Sequence, residues 1–283
     1  MATAMRKKII VGVAPVGVDV GPPSINPLSP ADVAREVVDC ANAGAGMVHL
    51  HVRDESGNQT EDLTVFSKTL DLIRKDSDII IQGSTGGLSS LSLEERCVSL
   101  NDPRVEVASL NMGSANFGEQ VYINTLPDIR YWARRMAEQG IVPELEVFEG
   151  GMMENVPLLM KEKVLSRPFY YNFCVGFPGA LPARPASLFM LCSALPPDTP
   201  WGLVHHHMHD FSFLAFAVGM GASMIRVGFE DSAFSAPGEP AATNAVLVQK
   251  VISLVRAMGC DVATPSEARK ILGVPPRPSS SGW

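Results

Sequence analysis

Short β-branched runs alternate with longer amphipathic segments along the whole chain, and this alternation limits the available folds more than any other feature. The runs are KIIVGVA (8–14), MVHLHV (47–52), DIIIQGS (78–84), VEVASLN (105–111), PELEVFE (143–149), FYYNFCVG (169–176), WGLVHH (201–206) and MIRVGFE (224–230). Between them, apolar residues recur at three- and four-residue spacing, the period of a helix with one buried face. In SPADVAREVVDCANAG (29–44), Ser29 is placed to cap a helix, Pro30 suits its first turn, and Gly44 or Gly46 can close it. LPDIRYWARRMAEQG (126–140) repeats the design with Pro127 and Gly140, and TNAVLVQKVISLVRAMG (243–259) is the last strong helix. Near-continuous apolar strands separated by helices imply a parallel sheet covered on its outer face. Eight such units in 283 residues predict an α/β fold of the closed (β/α)₈ TIM-barrel type, one domain over 1–283, rather than an open doubly wound sheet. No Gly-x-Gly-x-x-Gly follows the first run, which argues against a dinucleotide site. The Pro/Ser-rich end, 274–283, reads as a flexible or subunit-packing tail.

Charge and cysteine usage exclude several function classes. A net charge of −7 with no basic block argues against a nucleic-acid partner. No run of about 18 apolar residues exists to span a membrane, and MATAMRKKIIVGVAP reads as a first strand rather than an export signal. Five scattered cysteines without a CxxC pair suit a reducing, cytoplasmic compartment, where they serve as small core residues.

The polar residues cluster at the ends of the predicted strands, where a barrel of this kind places its catalytic groups. His49 and His51 are two apart on the second strand, so they point to one face about 7 Å apart. Two imidazoles on a rigid strand suit a metal, the alternative being hydrogen-bonded core histidines. A catalytic zinc site takes two histidines, a carboxylate and an open position, and Glu230 is the best third ligand. Alternation puts it on one face with Arg226 and Gly228, the latter leaving room in the mouth; pairing with Arg226 is the competing role for Glu230, and helix capping for Asp231. Ser84, Thr85 and the pair Gly86–Gly87 end the third strand with backbone able to hold an anion. Ser109 and Asn111 share a face on the fourth strand, as Glu144 and Glu146 do on the fifth. His205, His206, His207 and His209 form a second cluster, but no carboxylate pattern surrounds them beyond Asp210, which argues against a second metal.

HLHVRD, QGSTGG, SLNMGSANFG, PELEVFE, RVGFEDS with TNAVLV, and VATPSEARKILG together resemble the β-keto acid cleavage enzymes, a family related to 3-keto-5-aminohexanoate cleavage enzyme. The likeness runs from the first strand to the last helix. It implies a zinc-dependent barrel, a homo-oligomer (tetramer or dimer), that converts a β-keto acid and acetyl-CoA into acetoacetate and a new acyl-CoA. By resemblance His49, His51 and Glu230 are zinc ligands, Ser84 and Gly87 hold the keto acid head, and Ser109 stands where the aminohexanoate enzyme has threonine. Asp231 performs proton transfer, Arg226 orients it, and Asp19 and Glu146 match acidic pocket residues. Asp19 would then meet a cationic tail on the substrate. Two stretches depart from the family: VDVGPPSINPLSP is short and lacks an arginine, and LVHHHMHDF replaces a glycine-rich turn. The competing function is another metal-dependent barrel lyase or hydrolase that cleaves a keto acid without CoA.

Overall fold

A computed structural model describes residues 6–17, 26–87 and 90–275; Asp19 and the tail 276–283 lie outside the described residues. The barrel strands are Lys8–Val13, Met47–His49, Ile80–Gly83, Val107–Asn111, Val142–Val147, Tyr170–Val175, Trp201–His205 and Met224–Val227. Each pairs in parallel with the next, and the eighth returns to the first, with Ile10 opposite Met224 and Val13 opposite Val227. The sheet is therefore closed, as the eight alternations require. A short strand, Asp261–Val262, adds a further pairing with Lys8 and Ile9.

The helices begin and end where local chemistry tells them to. In Pro30–Ala43, the Ser29 side chain accepts the Asp32 N–H, and Gly44 closes the helix at φ 116°, a conformation that penalises other residues. Val33, Val37 and Cys40 form its buried stripe. Leu126–Gln139 opens with a reciprocal cap between Thr125 and Asp128, worth about 1 kcal/mol, and buries Ile129, Trp132 and Met136. Asn244–Ala257 buries Leu247, Val248, Val251 and Val255. All five cysteines are free; Cys40, Cys97 and Cys174 are buried.

Inside the barrel the lowest layer is apolar, built from Ile10, Met47, Ile80, Val107, Val142 and Met224 around the Tyr170 ring. Above it the interior turns polar: His49, Gln82, Ser109, Glu144, Asn172 and Arg226 are all buried. That change marks the carboxyl-terminal half of the strands as the chemical end of the molecule.

The second and eighth predicted strands stop three residues early, for separate reasons. The second ends at His49; Val52–Arg53 then pairs antiparallel with Gln59–Thr60 in a small hairpin. Asp54 turns that hairpin by accepting the N–H groups of Ser56 and Asn58 at 2.8 and 2.9 Å. Arg53 ties it to the first strand's loop through the Gly17 carbonyl. The eighth strand ends at Val227 because Gly228 adopts φ 139°. The expected role of Gly228, leaving space in the mouth, is corrected: a Cβ there would sit 2.2 Å from the Ala14 carbonyl oxygen. This glycine lets the loop turn back against the first strand, where Glu230 N–H bonds Ala14 O at 3.1 Å. Gly228→Ala should destabilise the fold by about 2–4 kcal/mol, from strain plus overlap. Urea unfolding would measure it, and a loss under about 1 kcal/mol would contradict the account.

Candidate active site

His49 ends the second strand opposite Gln82 of the third. Its Nδ1 lies 3.0 Å from Gln82 Oε1, so that nitrogen carries the ring proton and Nε2 keeps its lone pair. Nε2 is 3.6 Å from Glu230 Oε1, too long for a hydrogen bond but close to the roughly 3.3 Å expected between two donors on one zinc ion. Burial, then the charge of Arg226, holds the imidazole well below its usual pKa and therefore neutral. His51 lies beyond the strand end, yet its ring converges on His49 with centroids 5.0 Å apart. The ligand atoms of His49, His51 and Glu230 lie within 4.8 Å of one another, and among the described residues they are the one such group. Glu230 Oε2 is buried without a hydrogen-bond partner. Two converging imidazoles beside an orphaned carboxylate oxygen are a donor set that fits a divalent cation.

Arg226, buried on the eighth strand, joins the rest of the site. Its Nε and Nη2 grip Asp231 in a bidentate fork at 2.9 and 2.6 Å, and Nη2 reaches Glu230 at 3.3 Å. Nη1 stands 3.8 Å from Glu146 Oε1 and has no hydrogen-bond partner. Burial raises the Asp231 carboxyl while Arg226 opposes the shift. Burial, with Glu144 adding repulsion, pushes Glu146 up to about 8, so it is largely protonated at neutral pH. The interior thus gathers the carboxyl groups of Glu144, Glu146, Glu230 and Asp231 around the Arg226 guanidinium.

The third and fourth strands supply hydroxyls. Ser84 Oγ and Ser109 Oγ lie 3.5 Å apart, and Thr85 Oγ1 bonds Ser109 O at 2.6 Å. Expecting the Gly86–Gly87 backbone to be open to an anion was too generous, because Gly86 N–H already bonds Ser84 Oγ at 2.9 Å. Gly87 lies beyond it, where a side chain would meet Leu91 and Arg96. Ser109 and Asn111 are in register with Glu144 and Glu146. The structure therefore brings His49, His51, Glu230, Arg226 and Asp231 together, sets Glu146 beside Arg226, and places Ser84 beside Ser109.

In the second histidine cluster His206 and His207 meet with ring centroids 4.2 Å apart, and the other rings pack on separate aromatics. His206 stacks on Phe177 at 4.2 Å, His205 meets Phe213, and His209 packs on Phe234. Burial lowers His206 to about 4, leaving it neutral. His207 supports the site through its backbone, whose N–H bonds Asp231 O at 2.8 Å.

Two partners went unrecognised in the sequence, Gln82 and Tyr170. The available signal was a lone amide in DIIIQGS and a phenol in FYYNFCVG, each on a strand otherwise apolar at that point.

A family profile described as beta-keto acid cleavage enzyme matches residues 8–274. The chain is 35% identical over 273 residues to a 3-keto-5-aminohexanoate cleavage enzyme of Acetoanaerobium sticklandii, covering 95% of this chain and 99% of that one. It is 31% identical over 258 residues to a 3-oxoadipate:acetyl-CoA acetyltransferase of Cupriavidus necator, covering 88% and 89%. In fold it is similar to apo ObcA at a TM-score of 0.71 and 18% identity, covering 88% of this chain and 65% of ObcA's length. The matched span and these identities, on a closed barrel with converging strand ends, show that the chain belongs to the beta-keto acid cleavage enzyme family.

Proposed function

We propose that this protein exchanges acyl groups between a β-keto acid and acetyl-CoA, releasing acetoacetate and a new acyl-CoA, with zinc held by His49, His51 and Glu230. One observation carries the metal assignment: the three side chains converge within 4.8 Å, with Glu230 Oε2 unpartnered. The acetyl-CoA half draws support from the co-substrate named for the Cupriavidus necator relative. When bound, zinc supplies a Lewis acid for the keto and carboxylate oxygens of the substrate. Asp231, aimed by the Arg226 fork, takes a proton from the carbon between those two groups. That carbon adds to the acetyl carbonyl and the CoA thiolate leaves. The thiolate then attacks the original keto carbon, the old C–C bond breaks, and Asp231 returns its proton to give acetoacetate. Ser84, Ser109 and Gly87 position the keto acid head, and the resemblance assigns Glu146 and Asp19 to the substrate's side chain. Under this reading Asp19 selects a cationic tail; equal loss for neutral and cationic substrates in Asp19→Ala would reject that.

The reading treats the chain as a single barrel domain in the cytoplasm. Among the described residues no helix is long and apolar enough to cross a membrane. We also propose a homo-oligomer, whose contacts would cover Phe189, 66% exposed. Purified protein should retain about one zinc per chain after dialysis. Chelation should remove activity and zinc should restore it. A panel of β-keto acids with acetyl-CoA, followed by acetoacetate release, tests the reaction. Cleavage that proceeds equally without acetyl-CoA would instead favour a lyase or hydrolase.

A further inference from the structure

His49 is held by more than its own strand. Its Nδ1 lies 3.0 Å from Gln82 Oε1, Gln82 Nε2 donates to the Tyr170 oxygen at 3.3 Å, and the Tyr170 hydroxyl donates to Glu144 Oε2. The four residues stand on the second, third, sixth and fifth strands, so the chain of bonds crosses the barrel interior. Each is at most 3% exposed, which leaves no solvent to substitute for a lost partner.

Donor and acceptor counting sets the direction of this chain. Tyr170 spends its single O–H on Glu144 Oε2. Tyr170 stays a phenol, since burial and the neighbouring Glu144 raise it well above its usual pKa. Its oxygen can then only accept from Gln82, which turns the amide N–H₂ toward Tyr170 and the amide oxygen toward His49. A flipped Gln82 would set two acceptors face to face at Tyr170 and a donor against Nδ1–H. The proton on His49 is thereby forced onto Nδ1, and the lone pair onto Nε2, the atom 3.6 Å from Glu230.

We propose that Tyr170 and Glu144 are positioning residues that, through Gln82, lock His49 in the Nδ1–H tautomer with Nε2 presented to the cation. This rests on the reading of His49 as a metal ligand. An imidazole whose far nitrogen is hydrogen-bonded is fixed in orientation and more basic, and outer partners of this kind typically account for 10–100-fold in metal affinity.

The test uses the full chain and two readouts. Tyr170→Phe deletes one hydroxyl and keeps the ring. Zinc affinity, by competition with a chelator of known affinity, should fall about 10–100-fold. Nitrogen-15 shifts of the His49 ring in zinc-free protein should show Nδ1–H in the wild type and mixed tautomers in the variant. Glu144→Leu, of similar size but with no acceptor for the Tyr170 O–H, gives a second route if Tyr170→Phe folds poorly, and should disturb the tautomer likewise. A Tyr170→Phe protein with wild-type tautomer and zinc affinity within twofold overturns the lock. Wild-type protein that holds no zinc sinks the metal reading instead, and the tautomer shift still reports on the relay by itself.

Discussion

Asp231→Asn should keep its zinc and lose turnover by about 10²–10⁴-fold, the range for removing a positioned general base. The substitution preserves shape, and the amide oxygen can still accept one N–H from Arg226. It removes the basic oxygen, and its N–H₂ cannot accept from the other arm of a fork now set at 2.9 and 2.6 Å. Leaving a buried guanidinium without its partner ordinarily costs several kcal/mol. Here Glu230, 3.3 Å from Nη2, remains to compensate Arg226, so the barrel should still fold. Activity at saturating substrate, metal content and a thermal melt separate the outcomes. Turnover within about threefold of wild type, with metal and fold intact, would end the assignment of Asp231 as base.

His49→Ala should abolish both metal and turnover. The effect on zinc should exceed the 10–100-fold typical of an outer-sphere change, because a donor is lost outright. It also strands Gln82 Oε1 in the interior, a cost of about 1–3 kcal/mol. His51→Ala removes a half-buried ring beyond the strand end, so it should lose metal with less harm to stability. Zinc analysis and urea melts on the two variants make the comparison. Full zinc occupancy in His49→Ala would remove the imidazole from the site.

Much of this was legible in the chain itself, and the misses have identifiable causes. Strand period and the carboxyl-end rule lead from HLH and GFED to a shared rim, because the face and the end of a strand follow from local alternation. Caps such as Ser29 and Gly44 are equally local. Extending the second strand to 52 failed because the Asp54 side chain builds its own turn. Gly228 was misread because the atom it avoids, Ala14 O, is distant in sequence. The Gln82–Tyr170–Glu144 relay escaped notice for the same reason: alternation says which residues point inward, and only strand tilt and register say which of them meet.

The seam between the eighth and first strands has a topological consequence. His49 and Glu230 come from opposite ends of the polypeptide and are separated by one intervening strand. No contiguous fragment that lacks any part of residues 49–230 contains both walls of the reaction centre. A nascent or clipped barrel with an open seam should therefore lack the paired walls, and with them turnover, however well its central strands have folded. Circularly permuted chains, whose new termini fall elsewhere and which stitch this joint covalently, should acquire the centre earlier in folding.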